Sequence, residues 1–179
     1  MSARTDRSGA RRRAVAVCGA GEADSALAGM AHEVGRLIAD AGCTLVCGGM
    51  HGVMAAACAG AQEARQSGAS GLVVGILPVA DLDGGNPYCD VTIATGMGYA
   101  RNAIVVLSAD VVILVGGGSG TLSEAAYAWQ LGKPVVALAT SGGWAERLAG
   151  AALDDKRDDR IMEASTPAEA VAAALRCIA

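Results

Sequence analysis

Val111-Val112-Ile113-Leu114-Val115-Gly116-Gly117-Gly118-Ser119-Gly120-Thr121-Leu122-Ser123-Glu124 is the stretch whose reading decides the fold. Five consecutive apolar, mostly β-branched residues describe a strand buried on both faces, as in parallel sheets covered by helices above and below. The glycines that follow allow a sharp turn and let the backbone approach a ligand without Cβ interference. Ala125-Ala126-Tyr127-Ala128-Trp129-Gln130-Leu131 then carries on a helix that begins near Thr121 and is stopped by Gly132 and Pro134. Unpaired amides and the positive end of the dipole at such a helix start favour an anion, and phosphate is the anion best suited to it.

The same strand, glycine turn and helix recur on the amino-terminal side. Ala14 to Cys18 is a strand ended by Gly19-Ala20-Gly21, and Ala26, Leu27, Met30, Val34, Leu37 and Ile38 then follow at helical spacing, capped by Asp24 or Ser25. Thr44 to Cys47 is a second strand, ended by Gly48-Gly49-Met50-His51-Gly52 and followed by a helix over 53–66. Further strands are expected at 72–77, 91–94, 135–138 and 161–163. Further helices are expected at 98–108, at 144–148 and from Thr166-Pro167 onward. Alternation throughout predicts an α/β protein, a Rossmann-like doubly wound parallel sheet with helices on both faces. Parallel strands end on one side, so the three glycine turns converge on one crevice, which is where such sheets bind ligands. The longest irregular segment follows Pro78 and contains Asp81, Asp83, Gly84, Gly85, Asn86 and Pro87; loops of this kind often line sites.

The chain has 179 residues, enough for one domain with a sizeable core, and we assign that domain to 14–179 behind a flexible basic arm over 1–13. Hydrophobic residues make up 53% of it but aromatics only 3%, with no Phe, so the core is built from Ala, Val, Leu and Ile. A net charge of −4 argues against a nucleic-acid partner and for a small ligand. No apolar run approaches the roughly 18 residues of a membrane span, and the apolar stretch after the basic arm is too short for a secretory signal; a cytoplasmic protein without membrane partners is expected. The six cysteines at 18, 43, 47, 58, 89 and 177 are scattered and form no C-x-x-C pair, which reads as buried free thiols rather than a metal site. The charged run from Asp154 to Arg160 reads as a solvated turn.

Several chemistries are excluded by what the turns lack. The first has Asp24 where a dinucleotide fingerprint has its third glycine, and no acidic residue follows the second strand to take a ribose hydroxyl. No Gly-Lys-Ser/Thr makes a P-loop, and there is no G-x-S-x-G elbow. His51, in a glycine turn, is either a ligand contact or a surface residue. Thr121 and Glu124 have the spacing of a capping box; alternatively, Glu124 faces a ribose and stabilises an oxocarbenium-like carbon. Arg101 sits among Ile104, Val105, Val106 and Leu107, so its guanidinium needs a partner such as phosphate or Glu124. Candidate catalytic residues are therefore Arg101 and Glu124. Candidate phosphate and ligand contacts are Gly19, Ala20, Gly21, Gly48, Gly49, Gly117, Gly118, Ser119, Gly120 and Thr121, with Met97 just ahead of the arginine helix.

In these residues the chain resembles the Lonely-Guy family, formerly described as lysine decarboxylase-like, and its near relatives the molybdenum-cofactor carrier proteins. The family motif P-G-G-x-G-T-x-x-E is matched by Gly117 to Glu124, with Gly116 in the place of its proline. The family's upstream arginine falls on Arg101, and its G-G-x-x-G-L-M turn is similar to Gly48-Gly49-Met50-His51-Gly52-Val53-Met54. The resemblance spans Val15 to Leu138. It implies a homodimer with a nucleoside monophosphate site in which arginine and glutamate, without a cofactor, support cleavage of the N-glycosidic bond to free base and ribose 5-phosphate. The lysine that follows the family's arginine is Asn102 here, and this and the lost proline resemble the carrier branch. Two readings stand: a phosphoribohydrolase of nucleoside 5′-monophosphates, and a non-catalytic carrier that binds the molybdenum cofactor, a phosphate-bearing pterin.

Overall fold

The computed structural model describes residues 11–179. Strands form at Ala14–Gly19 (β1), Thr44–Cys47 (β2), Val73–Leu77 (β3), Val91–Ala94 (β4), Val111–Val115 (β5), Val135–Leu138 (β6) and Met162–Ala164 (β7). Helices form at Ser25–Asp40 (α1), Val53–Gln66 (α2), Asn102–Leu107 (α3), Ser119–Gln130 (α4), Gly143–Leu148 (α5) and Pro167–Cys177 (α6). The strands make one sheet in the order β4-β3-β2-β1-β5-β6-β7, and every pairing is parallel. The chain runs from β1 outward to one edge, returns to the centre at β5, and runs outward to the other.

Alternate strand residues face opposite layers. Val15, Val17, Val111, Ile113 and Val115 pack with the buried sides of α1, α2 and α6, whereas Ala14, Ala16, Cys18, Val112 and Leu114 pack with α3, α4 and α5. This is the two-faced Rossmann-like sheet the apolar runs predict. Small residues set the closeness of the layers: a Cβ at Gly35 of α1 would overlap Ala57 O of α2, and one at Gly60 of α2 would overlap His32 O of α1. That approach lets α1 and α2 pack closely without large side chains between them.

Local details depart from the sequence reading. The segment expected as one helix over 98–108 is a 3₁₀ turn at Gly98–Arg101 followed by the short α3. The expected basic arm falls mostly on residues 1–10, outside the described residues. Arg11, Arg12 and Arg13 lie against the sheet, Arg11 paired with Asp110, Arg12 donating to Ser70 O, and Arg13 O accepting from Thr44 N–H. The charged run is not simply solvated: Asp154 accepts from Trp129 Nε1 at 2.8 Å, and Arg157 stacks 4.5 Å over the same ring. Trp129 has a polar edge that needs a partner, and the run supplies it. Helix α2 turns its apolar side inward, and α3 leaves Leu107 exposed. No helix among the described residues is long and apolar enough to cross a membrane.

Candidate functional site

The central neighbours β1 and β5 pair in register to their ends, Gly19 opposite Val115, and their connections leave in opposite directions. The crevice at this switch point is bounded by Gly19-Ala20-Gly21 and by the turn into α4. Gly116 and Gly117 have φ of 59° and 100°, values that side chains with a Cβ rarely adopt, and Gly118 is the extended N-cap. Gly116 O and Gly117 O accept from Ala145 N–H and Trp144 N–H, both at 3.0 Å, so the first turn of α5 holds this loop from behind.

The helix begins at Ser119, two residues earlier than the sequence suggests. Its first capping bond runs from Leu122 N–H to Gly118 O at 3.0 Å, so the amides of Ser119, Gly120 and Thr121 precede the helical ladder. Glu124 is consequently in the second turn, and the capping-box reading of Thr121 and Glu124 does not describe this helix. Both side chains are buried; Thr121 Oγ1 has no partner among the described residues.

Arg101 crosses from the 3₁₀ turn toward α4. Its Nη1 donates to Asn102 Oδ1 at 2.6 Å and lies 3.4 Å from Glu124 Oε1, and its Nη2 donates to Gly48 O at 3.4 Å. Arg101 Nε is unpartnered. Asn102 Nδ2 in turn donates to Ser123 Oγ at 2.8 Å and to Gly120 O at 3.4 Å, which ties the arginine to α4. Burial pushes the Glu124 carboxyl up to about 7, against the opposing pull of Arg101 and a hydrogen bond from the Cys18 thiol.

These groups surround a cavity of about 480 Å³. Of the residues singled out in the sequence, Gly19, Ala20, Gly21, Gly118, Ser119, Gly120, Thr121, Arg101 and Glu124 line it. Gly48, Gly49, Met97 and Gly117 do not. Gly48 supports Arg101 from behind, Gly49 packs on Leu77 and Gly75, Gly117 backs Thr121, and Met97 is half exposed outside the lining. His51 is exposed. The lining also includes Met50, Met54, Pro78, Gly98, Tyr99 and Asn102, which composition alone did not mark. The bond from Gly98 N–H to Pro78 O, 2.9 Å, brings two of them together. The lining thus combines helix amides, a hydroxyl and a guanidinium with apolar side chains. That combination suits a ligand with a phosphate and a flat ring.

The SLOG cluster4 family model matches residues 12–171. A cytokinin riboside 5′-monophosphate phosphoribohydrolase of Mycobacterium tuberculosis is 37% identical over 149 aligned residues, 76% of this chain and 74% of its own. Among solved structures, the molybdenum cofactor binding protein of Rippkaea orientalis superposes with a TM-score of 0.82 at 35% identity, over 96% of this chain and 100% of its own. The Moco carrier protein of Chlamydomonas reinhardtii superposes with a TM-score of 0.77, also at 35% identity, over 94% and 99%. Taken with the Gly117–Glu124 motif, Arg101 and the sheet order, these matches make the chain a member of the SLOG cluster4 family, of Lonely-Guy type and near the molybdenum-cofactor carrier branch.

Proposed function

We propose that the protein binds a nucleoside 5′-monophosphate, phosphate at the start of α4 and base against Met50, Met54 and Tyr99, and hydrolyses its N-glycosidic bond. The observation that carries this reading is the buried Arg101–Glu124 pair beside unclaimed amides and an unpartnered Thr121 hydroxyl. In the reaction the C1′–N bond breaks, the departing base takes a proton, and water adds to C1′ to give ribose 5-phosphate. Positive charge builds on C1′ in the transition state, and a carboxylate in a water-poor cavity stabilises that charge more than it stabilises the substrate. Glu124, pushed up to about 7, is partly ionised at neutral pH and serves as that carboxylate. Arg101 and the helix amides hold the phosphate, whose binding energy fixes the ribose beside Glu124. The reading includes a homodimer formed through the exposed apolar residues Leu107, Tyr127 and Leu131 of α3 and the end of α4.

A carrier of a phosphate-bearing pterin cofactor is the second reading, favoured by Asn102 at the position of the family's lysine. The cavity fits such a group: the amides of residues 119–121 would hold its phosphate, and Met50, Met54 and Tyr99 would face its ring. No Cys or His is among the described residues lining the cavity, so the protein would contribute phosphate and ring contacts rather than a ligand to molybdenum. Incubation with AMP and a panel of other nucleoside monophosphates, followed by chromatography for free base and ribose 5-phosphate, tests the first reading. Mass spectrometry of the small molecule that co-purifies tests the second. Base release is expected; its absence across the panel, with a pterin phosphate bound, would transfer the assignment to the carrier.

A further inference from the structure

Cysteines that look scattered in the sequence meet beneath the Gly48–Gly52 turn. Cys47 ends β2, Cys58 is on α2 and Cys89 is in the loop before β4. Cys47 Sγ and Cys58 Sγ are 3.4 Å apart, and Asn86 bridges to the third thiol, accepting from Cys89 Sγ at 3.7 Å while donating to Cys58 Sγ at 3.7 Å. Gly75, the cross-strand neighbour of Cys47, leaves room for the Cys89 sulfur, which lies 2.7 Å from where a Cβ would stand. Cys47 and Cys58 are buried, whereas Cys89 is half-buried and so the entry point from solvent.

The cluster is joined to the ligand cavity through backbone. Gly49 N–H donates to Cys47 Sγ at 3.3 Å, and Asn86 Nδ2 donates to both Cys58 Sγ, 3.7 Å, and Met50 O, 3.0 Å. Asn86 N–H donates to Gly49 O at 2.8 Å. The turn held in this way carries Gly48 O, which accepts from Arg101, and Met50, which lines the cavity. The neighbouring Cys47 and Cys58 thiols, with Asn86, hold the Cys89 thiol below the ordinary thiol range, and the other two sulfurs push Cys58 up. A thiolate at the half-exposed position with proton-bearing thiols behind it is the arrangement of a reactive and a resolving cysteine.

We propose that Cys47, Cys58 and Cys89 form a peroxide-reactive site that closes an intramolecular disulfide and thereby loosens the Gly48–Gly52 turn. The Cys89 thiolate attacks one oxygen of the peroxide, the O–O bond breaks, and Cys89 becomes a sulfenic acid as hydroxide leaves. A buried neighbour, Cys47 or Cys58, then attacks the Cys89 sulfur; the S–S bond forms and the sulfenic oxygen departs with the thiol proton as water. Two thiols are oxidised and one hydrogen peroxide is reduced to two waters. The disulfide consumes Cys89, whose thiol donates to Asn86 Oδ1 at 3.7 Å, and one acceptor, either Cys47 that takes the Gly49 N–H or Cys58 that takes Asn86 Nδ2, so the turn loses one direct tie and the Asn86 side chain that braces it loses another.

The test treats the reduced protein carrying Cys177→Ser, which removes an exposed thiol, with stoichiometric hydrogen peroxide. Thiols are then counted under denaturing conditions, the disulfide is mapped by peptide mass spectrometry, and amide hydrogen exchange is followed over residues 48–54. Expected are the loss of two thiols per chain, a disulfide within the cluster, and faster exchange over 48–54. Cys89→Ser should keep its thiols under the same dose, and the double variant Cys47→Ala with Cys58→Ala, which lacks both resolving thiols, should accumulate a Cys89 sulfenic acid that dimedone traps. Full retention of thiols, oxidation at Cys18 or Cys43 instead, equally fast oxidation of Cys89→Ser, or unchanged exchange over 48–54 would each overturn the proposal. None of these measurements depends on which ligand the cavity binds.

Discussion

Arg101 Nη1 stands 3.4 Å from Glu124 Oε1 with side chains only 10% and 7% exposed, while its shorter bond, 2.6 Å, goes to the neutral Asn102 Oδ1. Charge-assisted N–H···O bonds settle nearer 2.7–2.9 Å. The guanidinium is therefore shared among Asn102, Gly48 O and Glu124 and is not collapsed onto the carboxylate. The pull of Arg101 consequently falls short of the desolvation cost, and Glu124 titrates at about 7.

Glu124 should make its own contribution to the pH dependence of stability, opposite in sign to that of carboxylates held down by their partners, such as Glu33 and Asp110. An unfolded glutamate holds its proton up to the ordinary 4.5, the folded Glu124 up to about 7. Between those values the native state binds more protons at this site, so the contribution of Glu124 is greatest below about 4.5, is lost as pH rises through about 7, and is level above. A shift of that size corresponds to ~3 kcal/mol. Glu124→Gln should match wild type in urea melts near pH 4 and exceed it by about that amount at pH 8. A difference that does not change with pH would refute the assignment.

Asn102 should act as the clamp on Arg101. Its oxygen accepts from Arg101 and its nitrogen donates to Ser123 Oγ and Gly120 O, all from a buried position. Asn102→Ala strands a guanidinium hydrogen and loosens the arginine from α4. Loss of about 2 kcal/mol of stability is expected, together with weaker AMP binding by calorimetry. Unaltered binding would show that Arg101 needs no such support.

Gly48→Ala probes the same guanidinium from the other side. The backbone there can accept alanine, but the new Cβ would overlap Arg101 Cζ and Nη2. The guanidinium must move from Glu124 or the loop must yield, an overpacking cost of about 1–3 kcal/mol. AMP affinity should drop further than the melting temperature alone would suggest. Full-strength binding in the variant would detach Arg101 from the ligand site.

The proposed homodimer predicts that wild type sediments as a dimer at micromolar concentration and that Leu107→Glu sediments as a monomer. Leu107 and Leu131 are exposed, and Lys133 Nζ donates to Leu107 O at 3.0 Å, which ties the end of α3 to the segment after α4. Because Leu107 contributes little to the monomer's core, the variant should still melt cooperatively. A monomeric wild type would dismiss the interface.

Much of this architecture is readable from residues because the causes are local. Val111–Val115 is apolar at every position since both of its faces are covered, and the glycine turns at 19–21 and 116–118 follow strands that must end on one side. The start of α4 is harder to read. Gly118 caps it through backbone alone, so Thr121, with side chain and spacing that imitate a cap, attracts the assignment instead. Met50, Met54, Pro78 and Tyr99 have no chemical signature as an apolar wall; only the fold brings them to one cavity. Cys47, Cys58 and Cys89 are likewise far apart in the chain, and they meet because β2, α2 and the β4 loop pack together. The run Asp154–Arg160 looks like a surface turn because its partner, Trp129, lies on another element.

The strongest consequence concerns Glu124 in turnover. With Gly118 as the N-cap and Glu124 in the second turn, the carboxylate has no capping duty, and nothing in α4 requires a charge at that position. Glu124→Gln keeps the shape and hydrogen-bonding capacity but cannot carry the negative charge that opposes an oxocarbenium-like C1′. Release of adenine from AMP should fall by about a hundredfold or more while nucleotide affinity stays nearly constant, the mark of an interaction made in the transition state alone. In wild type, turnover should rise with pH as the carboxylate ionises, with a midpoint set by the group that titrates at about 7. The variant should lack that limb. A Glu124→Gln protein that releases adenine at the wild-type rate, or keeps the same rise near pH 7, would remove Glu124 from the chemistry and leave the cavity a binding site only.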